Sequence, residues 1–408
     1  MLQILNLVIL IVGALFLGLI VFIVTNKMRR EAVESHARSR RRVLEPRVLA
    51  FAHGDAESLA RWLGVEVVRR DRRVLEAILL DHAQLVRGIE RERLATALDE
   101  LGFVDQHIAA LAHDRWWCRA EAAEKLGLAA ARRAGEQLSA ALDDPVAEVR
   151  MRAAKALGRL GGAASTRRLI EALESPTRWS TLRIGDVLTR MGGDVVEDLI
   201  AAYPSMSVHG RAAALDVVAR LRPLGTTDWL VARLDEPHAD VRARACHALG
   251  SIGDPDAAGS LIAALGDADW PVRAQAAKAL GRMRIDAAAA SLCRGMRDRR
   301  WWVRSNAADA LKSLGSGGEE ALVTMLGDAD RFARQQAALK LEELGAVDRR
   351  VEQLTHADDA RRAEAETVLR EMIATGRTGR LRALAQAHRD ATVRRALKTL
   401  LPTADEAA

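Results

Sequence analysis

Two kinds of side chain recur in this chain at spacings that permit binding chemistry, and neither is catalytic. The first is arginine. Arg119, Arg150, Arg211, Arg242, Arg273, Arg304 and Arg334 stand about thirty residues apart or twice that, and Arg362 joins them if the last unit is slipped. Each sits near the start of a predicted helix, where a cation opposes the helix dipole at a cost of a few tenths to about 1 kcal/mol. So many units accepting that cost imply an acidic partner, and Asp114, Asp267, Asp298 and Asp328 in the preceding turns are the candidates. Two uses are open: an Asp–Arg ladder between units, or a groove that binds an anion.

The second kind is aromatic. Trp116, Trp117, Trp179, Trp270, Trp301, Trp302 and Phe332 share one register, two or three residues before the arginines, and six of the eight tryptophans fall there. Tryptophan buries a large area and keeps a polar handle, which suits binding hot spots. A lone Trp179 is more simply a packing residue. Adjacent residues on a helix point about 100° apart, so Trp116-Trp117 and Trp301-Trp302 cannot easily both be buried. These pairs, with Trp270 and Phe332, are the candidate partner-binding residues.

Catalytic patterns are missing. The chain has no Gly-rich phosphate loop followed by Lys-Ser/Thr, no GxSxG, no HExxH and no paired His/Cys set. Cys118, Cys246 and Cys293 are scattered, without metal-ligand spacing. No enzyme activity, cofactor or metal is expected.

What positions both columns is a repeat. Leu126, Leu157, Leu188, Val218, Leu249, Leu280, Leu311 and Leu341 are separated by 31, 31, 30, 31, 31, 31 and 30 residues. A fixed period in this range marks stacked copies of one supersecondary unit. In the unit spanning 256–281, Ala257, Ala258, Leu261, Ile262 and Leu265 give a first helix. Gly266-Asp267-Ala268-Asp269 breaks it, Asp269 is placed to cap the next helix, and Trp270-Pro271 opens that helix. Glycines 161, 253, 315 and 345 stand where a helix needs a left-handed stop.

The string Asp-x-x-x-x-Val-Arg-x-x-Ala-Ala-x-Ala-Leu-Gly resembles the HEAT repeat, in its short bacterial, phycobilisome-lyase-type form. It reads Val149-Arg150 to Gly158, Val272-Arg273 to Gly281 and, less completely, Val241-Arg242 to Gly250 and Val303-Arg304 to Leu311. The resemblance covers roughly residues 105 to 372. It implies an all-α protein, an α-solenoid of HEAT-like helical pairs, with the Arg column as a ladder between stacked units and a general role in protein interaction. Thr181 in place of the arginine and Tyr203-Pro204 at a turn depart from the pattern and imply a local change of curvature. Residues 48–104 read as degenerate N-terminal repeats forming a cap, 105–376 as the repeats, and 377–408 as a closing cap and tail.

Composition agrees. With aromatics at 3%, the core must be Ala, Leu and Val, which suits close helix packing and not a β-sandwich. The net charge of +6 is concentrated between Lys27 and Arg47, where eight basic residues face three acidic ones. The body is nearly neutral, so nucleic acid is disfavoured as a partner.

The N-terminus carries the remaining expectation. Residues 7–24 are apolar or glycine without interruption, long enough for a membrane-spanning helix. The absence of a basic n-region argues against a cleaved signal peptide. Residues 1–26 are therefore expected to form a transmembrane helix and 27–47 a basic juxtamembrane segment. All nearby positive charge follows the span, which places the N-terminus outside and the repeats in the cytoplasm. Lys27, Arg29, Arg30, Arg38, Arg40, Arg41 and Arg42 would orient the span and face anionic lipid headgroups.

Together these readings give a single-pass inner-membrane protein, anchored in the bilayer through residues 2–24. Its cytoplasmic solenoid would be a scaffold for a membrane-embedded or membrane-associated protein, such as an envelope polysaccharide synthesis or export machine. The alternatives are an anionic-ligand or nucleic-acid binder using the Arg column, and a homo-oligomeric membrane assembly factor.

Overall fold

The computed structural model describes residues 2–54, 56–174 and 178–401, with side chains from Phe16 onward except those of residues 30, 33 and 178–180. Every regular element among the described residues is helical. The chain divides into two compact units, one ending at Leu169 and one beginning at Ile170.

The expected membrane span does not stand. No helix among the described residues is long and apolar enough to cross a membrane. Of the apolar run 7–24, the side chains of residues 7–15 lie outside the described residues. The single-pass inner-membrane location is withdrawn, and the fold class loses its transmembrane helix.

The basic segment continues in the same helix and turns toward the protein. Arg40 donates to the buried Asp71 carboxylate (Nε–Oδ1 3.0 Å), and Arg41 holds Asp81 at 2.7 Å and Glu45 at 3.0 Å. Lys27 lies 3.8 Å from Glu31, while Arg38 donates to the Glu34 carbonyl and the Arg29 and Arg42 side chains are exposed. Arg30 has no described side chain. Leu44, Val48 and Phe51 on the same helix are buried, so its C-terminal half belongs to the core of the first unit.

Within each unit the periodic residues do what periodicity demands. All eight reference positions from Leu126 to Leu341 are buried, on the second helix of a pair. In the first unit these helices include Trp116–Leu128 and Ala147–Leu160. In the second they include Val208–Leu221, Ala239–Ile252, Trp270–Met283, Trp301–Ser313 and Arg331–Glu343. The final pair, Gly379–Ala387 and Ala391–Leu400, is built in the same way.

The glycine that follows the reference leucine has a packing reason the motif does not advertise. A Cβ on Gly127, Gly250 or Gly281 would lie 2.6, 2.6 or 2.7 Å from the Cα of Ala156, Ala279 or Ala310 on the next second helix. Small residues on both sides let these backbones approach, which a close-packed interior rewards. Gly253 and Gly345, by contrast, end or begin helices with left-handed backbone, at φ of 81° and 68°.

Candidate partner-binding face

The arginine column is built from each turn outward. Arg273 Nη1 donates to the carbonyls of Asp267 and Ala268, six and five residues back, closing its own inter-helix turn. Its Nε and Nη2 donate to the carboxylate of Asp298, in the turn of the next unit, at 2.7 and 3.1 Å. Arg119 with Asp144, and Arg242 with Asp267, repeat the two-pronged pairing, and Arg211 reaches Glu236 at 3.0 Å. Asp267 and Asp298 also accept the backbone N–H of Asp269 and Arg300. Burial works against both charges, yet the arginines and these turn amides hold the two carboxyls below the usual range.

Four details differ from the sequence expectation. The carboxylate comes from the following turn, and the preceding turn supplies carbonyls. Asp114 makes no side-chain bond to Arg119, which pairs with Asp144. Asp328 is held by Arg297 rather than by an arginine of the column. Asp269 makes no capping bond; its carboxylate accepts from Arg242 Nη2 at 3.0 Å, so the ion pair takes the oxygen that capping would use. At the irregular unit Thr181 shares a hydrogen bond of 2.9 Å with His209 Nε2.

The ladder then lapses. Twenty-five residues beyond Arg304 stands Ala329, because that interval is one residue short. Arg304 keeps its bonds to the Asp298 and Arg299 carbonyls and stacks on Phe332, 4.8 Å from the ring centroid. In the units after Arg334 and Arg362 the turn position is His356 and His388, whose Nδ1 atoms accept the turn amide as the aspartates do but offer no carboxylate. Arg394, beyond the last arginine that the sequence pattern picks out, follows the same arrangement and donates to the His388 and Arg389 carbonyls. Arg150 donates to the Asp144 and Pro145 carbonyls, and Arg334 to those of Asp328 and Ala329.

The aromatic register is exposed wherever its side chains are described, and Trp179 is not among those. In the first unit Trp116 and Trp117 meet edge to face at 6.0 Å, with Arg115 over the Trp117 ring. In the second, Trp301 and Trp302 pair at 4.8 Å, and Trp302 is 58% exposed. Trp270, 37% exposed, and Trp302 come from consecutive units and line one groove of about 490 Å³.

The polar lining of that groove was not singled out in the sequence. Asp216, Asp240, Arg244, His247, Gln275 and Asn306 sit two, five or nine residues before their reference positions, on four successive second helices. Arg244 bridges Asp240 at 3.2 Å and Asp216, and these carboxylates keep its charge despite burial. Burial, helped by Arg282, pushes the His247 imidazole below its ordinary value. Asn306 Nδ2 donates to the Ala274 carbonyl at 2.8 Å. The groove thus has aromatic walls and a polar floor on which one guanidinium, Arg244, bridges two carboxylates. Among the described residues no group of three His, Cys, Asp or Glu side chains is placed to hold a metal.

A family model for HEAT repeats matches residues 104–184, 196–267 and 258–342. An engineered protein is similar in structure at 20% identity and TM-score 0.37, covering 72% of this chain and 97% of that one. Kap121p bound to Pho4p is similar at 11% identity and TM-score 0.43, covering 85% of this chain and 47% of that one, so the chain spans less than half its length. The CpcE–CpcF complex of phycocyanin lyase from Nostoc sp. PCC7120 is similar at 20% identity and TM-score 0.25, covering 67% and 94%. No curated protein matches in sequence. Matched over more than half its length by the family model, the chain belongs to the HEAT-repeat family.

Proposed function

We propose that this protein is a non-enzymatic scaffold that seats a segment of a partner protein against the second unit, in the groove walled by Trp270 and Trp302. The observation that carries the reading is the convergence of two exposed tryptophans from different repeats on one groove with a polar floor. Exposed aromatic anchors beside paired, hydrogen-bonding groups are the composition of an interface core and its surround.

A binder of free anions through the Arg column has less support. At Arg119, Arg211, Arg242 and Arg273 the guanidinium donors already serve turn carbonyls and carboxylates of the next unit.

The test is stoichiometric co-purification of the full chain from its native cells, with mass spectrometry, for wild type, Trp302→Ala and Trp270→Ala. Leu85→Ala, also exposed but far in sequence from the groove, is the control. A partner retained by wild type and the control but lost from both tryptophan variants supports the proposal. A partner retained by all four, or none at all, sinks it.

A further inference from the structure

The ladder lapse and the exposed aromatics coincide. The turn and helix start from Arg297 to Arg304 carry four arginines and one aspartate. Arg297 is taken by Asp328, and Asp298 by Arg273. Arg299 and Arg300 are exposed and salt-bridge to no carboxylate among the described residues. Arg304 has lost the carboxylate that the ladder gives Arg119, Arg211, Arg242 and Arg273, and stacks on the exposed ring of Phe332 instead. Arg331, beside Phe332, is also exposed and unpaired. Trp301 and Trp302 lie between these two sets of guanidinium groups in sequence and are half-exposed or more.

We infer that this patch binds an acidic, apolar-bearing peptide segment of the partner, whose carboxylates meet Arg299, Arg300 and Arg304 while its apolar side chains cover Trp301, Trp302 and Phe332. The inference rests on the scaffold reading and names the chemistry of the segment. Charge complementarity carries it. The acids at the other end of the groove, Asp216 and Asp240, both pair with Arg244, whereas Arg299, Arg300 and Arg331 at this end are exposed and pair with no carboxylate among the described residues. An isolated positive patch would attract nucleic acid as readily. Nucleic acid is disfavoured here by the narrowness of the patch, since the body outside residues 27–47 is close to neutral and offers no long basic track.

The experiment uses the full chain and fluorescein-labelled peptides of one length, (Glu-Glu-Leu)4, (Ser-Ser-Leu)4 and (Lys-Lys-Leu)4, with a dT12 oligonucleotide as a fourth probe. Binding is read by anisotropy. The expected result is tightest binding to the acidic peptide, weakened at least about tenfold by the charge-reversing pair Arg299→Glu/Arg300→Glu and by Trp301→Ala. Both sites are exposed, and unchanged circular dichroism checks the fold of each variant. Equal binding of the acidic and neutral peptides, no binding of any peptide, or tighter binding of dT12 would each overturn the inference. The co-purification assay separates this from failure of the scaffold itself. A native partner lost with Trp302→Ala but kept by Arg299→Glu/Arg300→Glu removes the acidic segment and leaves the scaffold standing.

Discussion

Arg273 and Asp298 are twenty-five residues apart in sequence and joined by two hydrogen bonds, 2.7 Å from Nε and 3.1 Å from Nη2. Both side chains are largely buried, and the same guanidinium closes its own turn through two carbonyls. One side chain therefore sets a turn and fastens it to the next.

Removing the carboxylate tests the fastening. Asp298→Ala leaves a mostly buried guanidinium unpaired and frees the Arg300 amide, so a loss of about 2–4 kcal/mol is expected. Arg299→Ala, one residue on but exposed and unpaired, should stay within about 0.5 kcal/mol of wild type. Urea unfolding of the two variants checks the contrast; equal stabilities would show that the rung contributes nothing.

Gly281→Ala should destabilise although alanine is the better helix former. Its Cβ would meet the Ala310 Cα at 2.7 Å and force the two helices apart, costing about 1–3 kcal/mol. The propensity gain of about 1 kcal/mol offsets only part of this. Gly259→Ala, where nothing lies within 4 Å of the new Cβ, should be neutral or stabilising. Thermal melts of both variants decide it.

The first unit contains a mostly buried polar cluster with a pH signature. Glu76 accepts from His107 Nε2 at 2.8 Å and meets Lys125 Nζ at 2.9 Å. The His107 contact and the Lys125 ammonium outweigh burial and bring the Glu76 carboxyl from 4.5 down to about 2. A carboxyl depressed on folding stabilises above its unfolded pKa and loses that contribution as pH falls through the folded one. The stability gap between wild type and Glu76→Gln should thus be full above about pH 5 and close as pH drops from 4.5 toward 2. Denaturant unfolding at several pH values measures it, and a gap that stays constant would refute the assignment.

Cysteine labelling probes the second unit. Burial pushes the Cys246 thiol up to about 12 and seals it from solvent. Since the thiolate is the nucleophile, iodoacetamide should leave Cys246 unmodified in the native protein while reacting with partly exposed Cys118. Mass spectrometry before and after unfolding distinguishes the two.

How much of this the sequence displays depends on whether a property belongs to one helix or to two. The buried positions from Leu126 to Leu341 and the left-handed stop at Gly253 follow from periodicity and backbone chemistry, and they are legible. The Arg column was equally visible as a pattern. Which aspartate each arginine reaches was not, because the choice between preceding and following turn is made by stacking. Asp269 shows the same limit: a residue suited to capping is claimed by Arg242 from the neighbouring unit. Trp270 and Trp302 stand out by type, whereas Asp216, Arg244, His247 and Asn306 are ordinary helix-surface residues until four helices bring them to one groove.

The spacing of the rungs has an arithmetic consequence. Arg242 meets Asp267 and Arg273 meets Asp298, each across twenty-five residues of chain. Excising thirty-one residues between Arg242 and Asp298 would bring those two to the same separation and restore a rung at the scar. Excising thirty would set Arg242 against the wrong residue, as the short interval already does at Arg304 and Ala329. This stretch of the protein can be lengthened or shortened like a chain of links, in whole steps only.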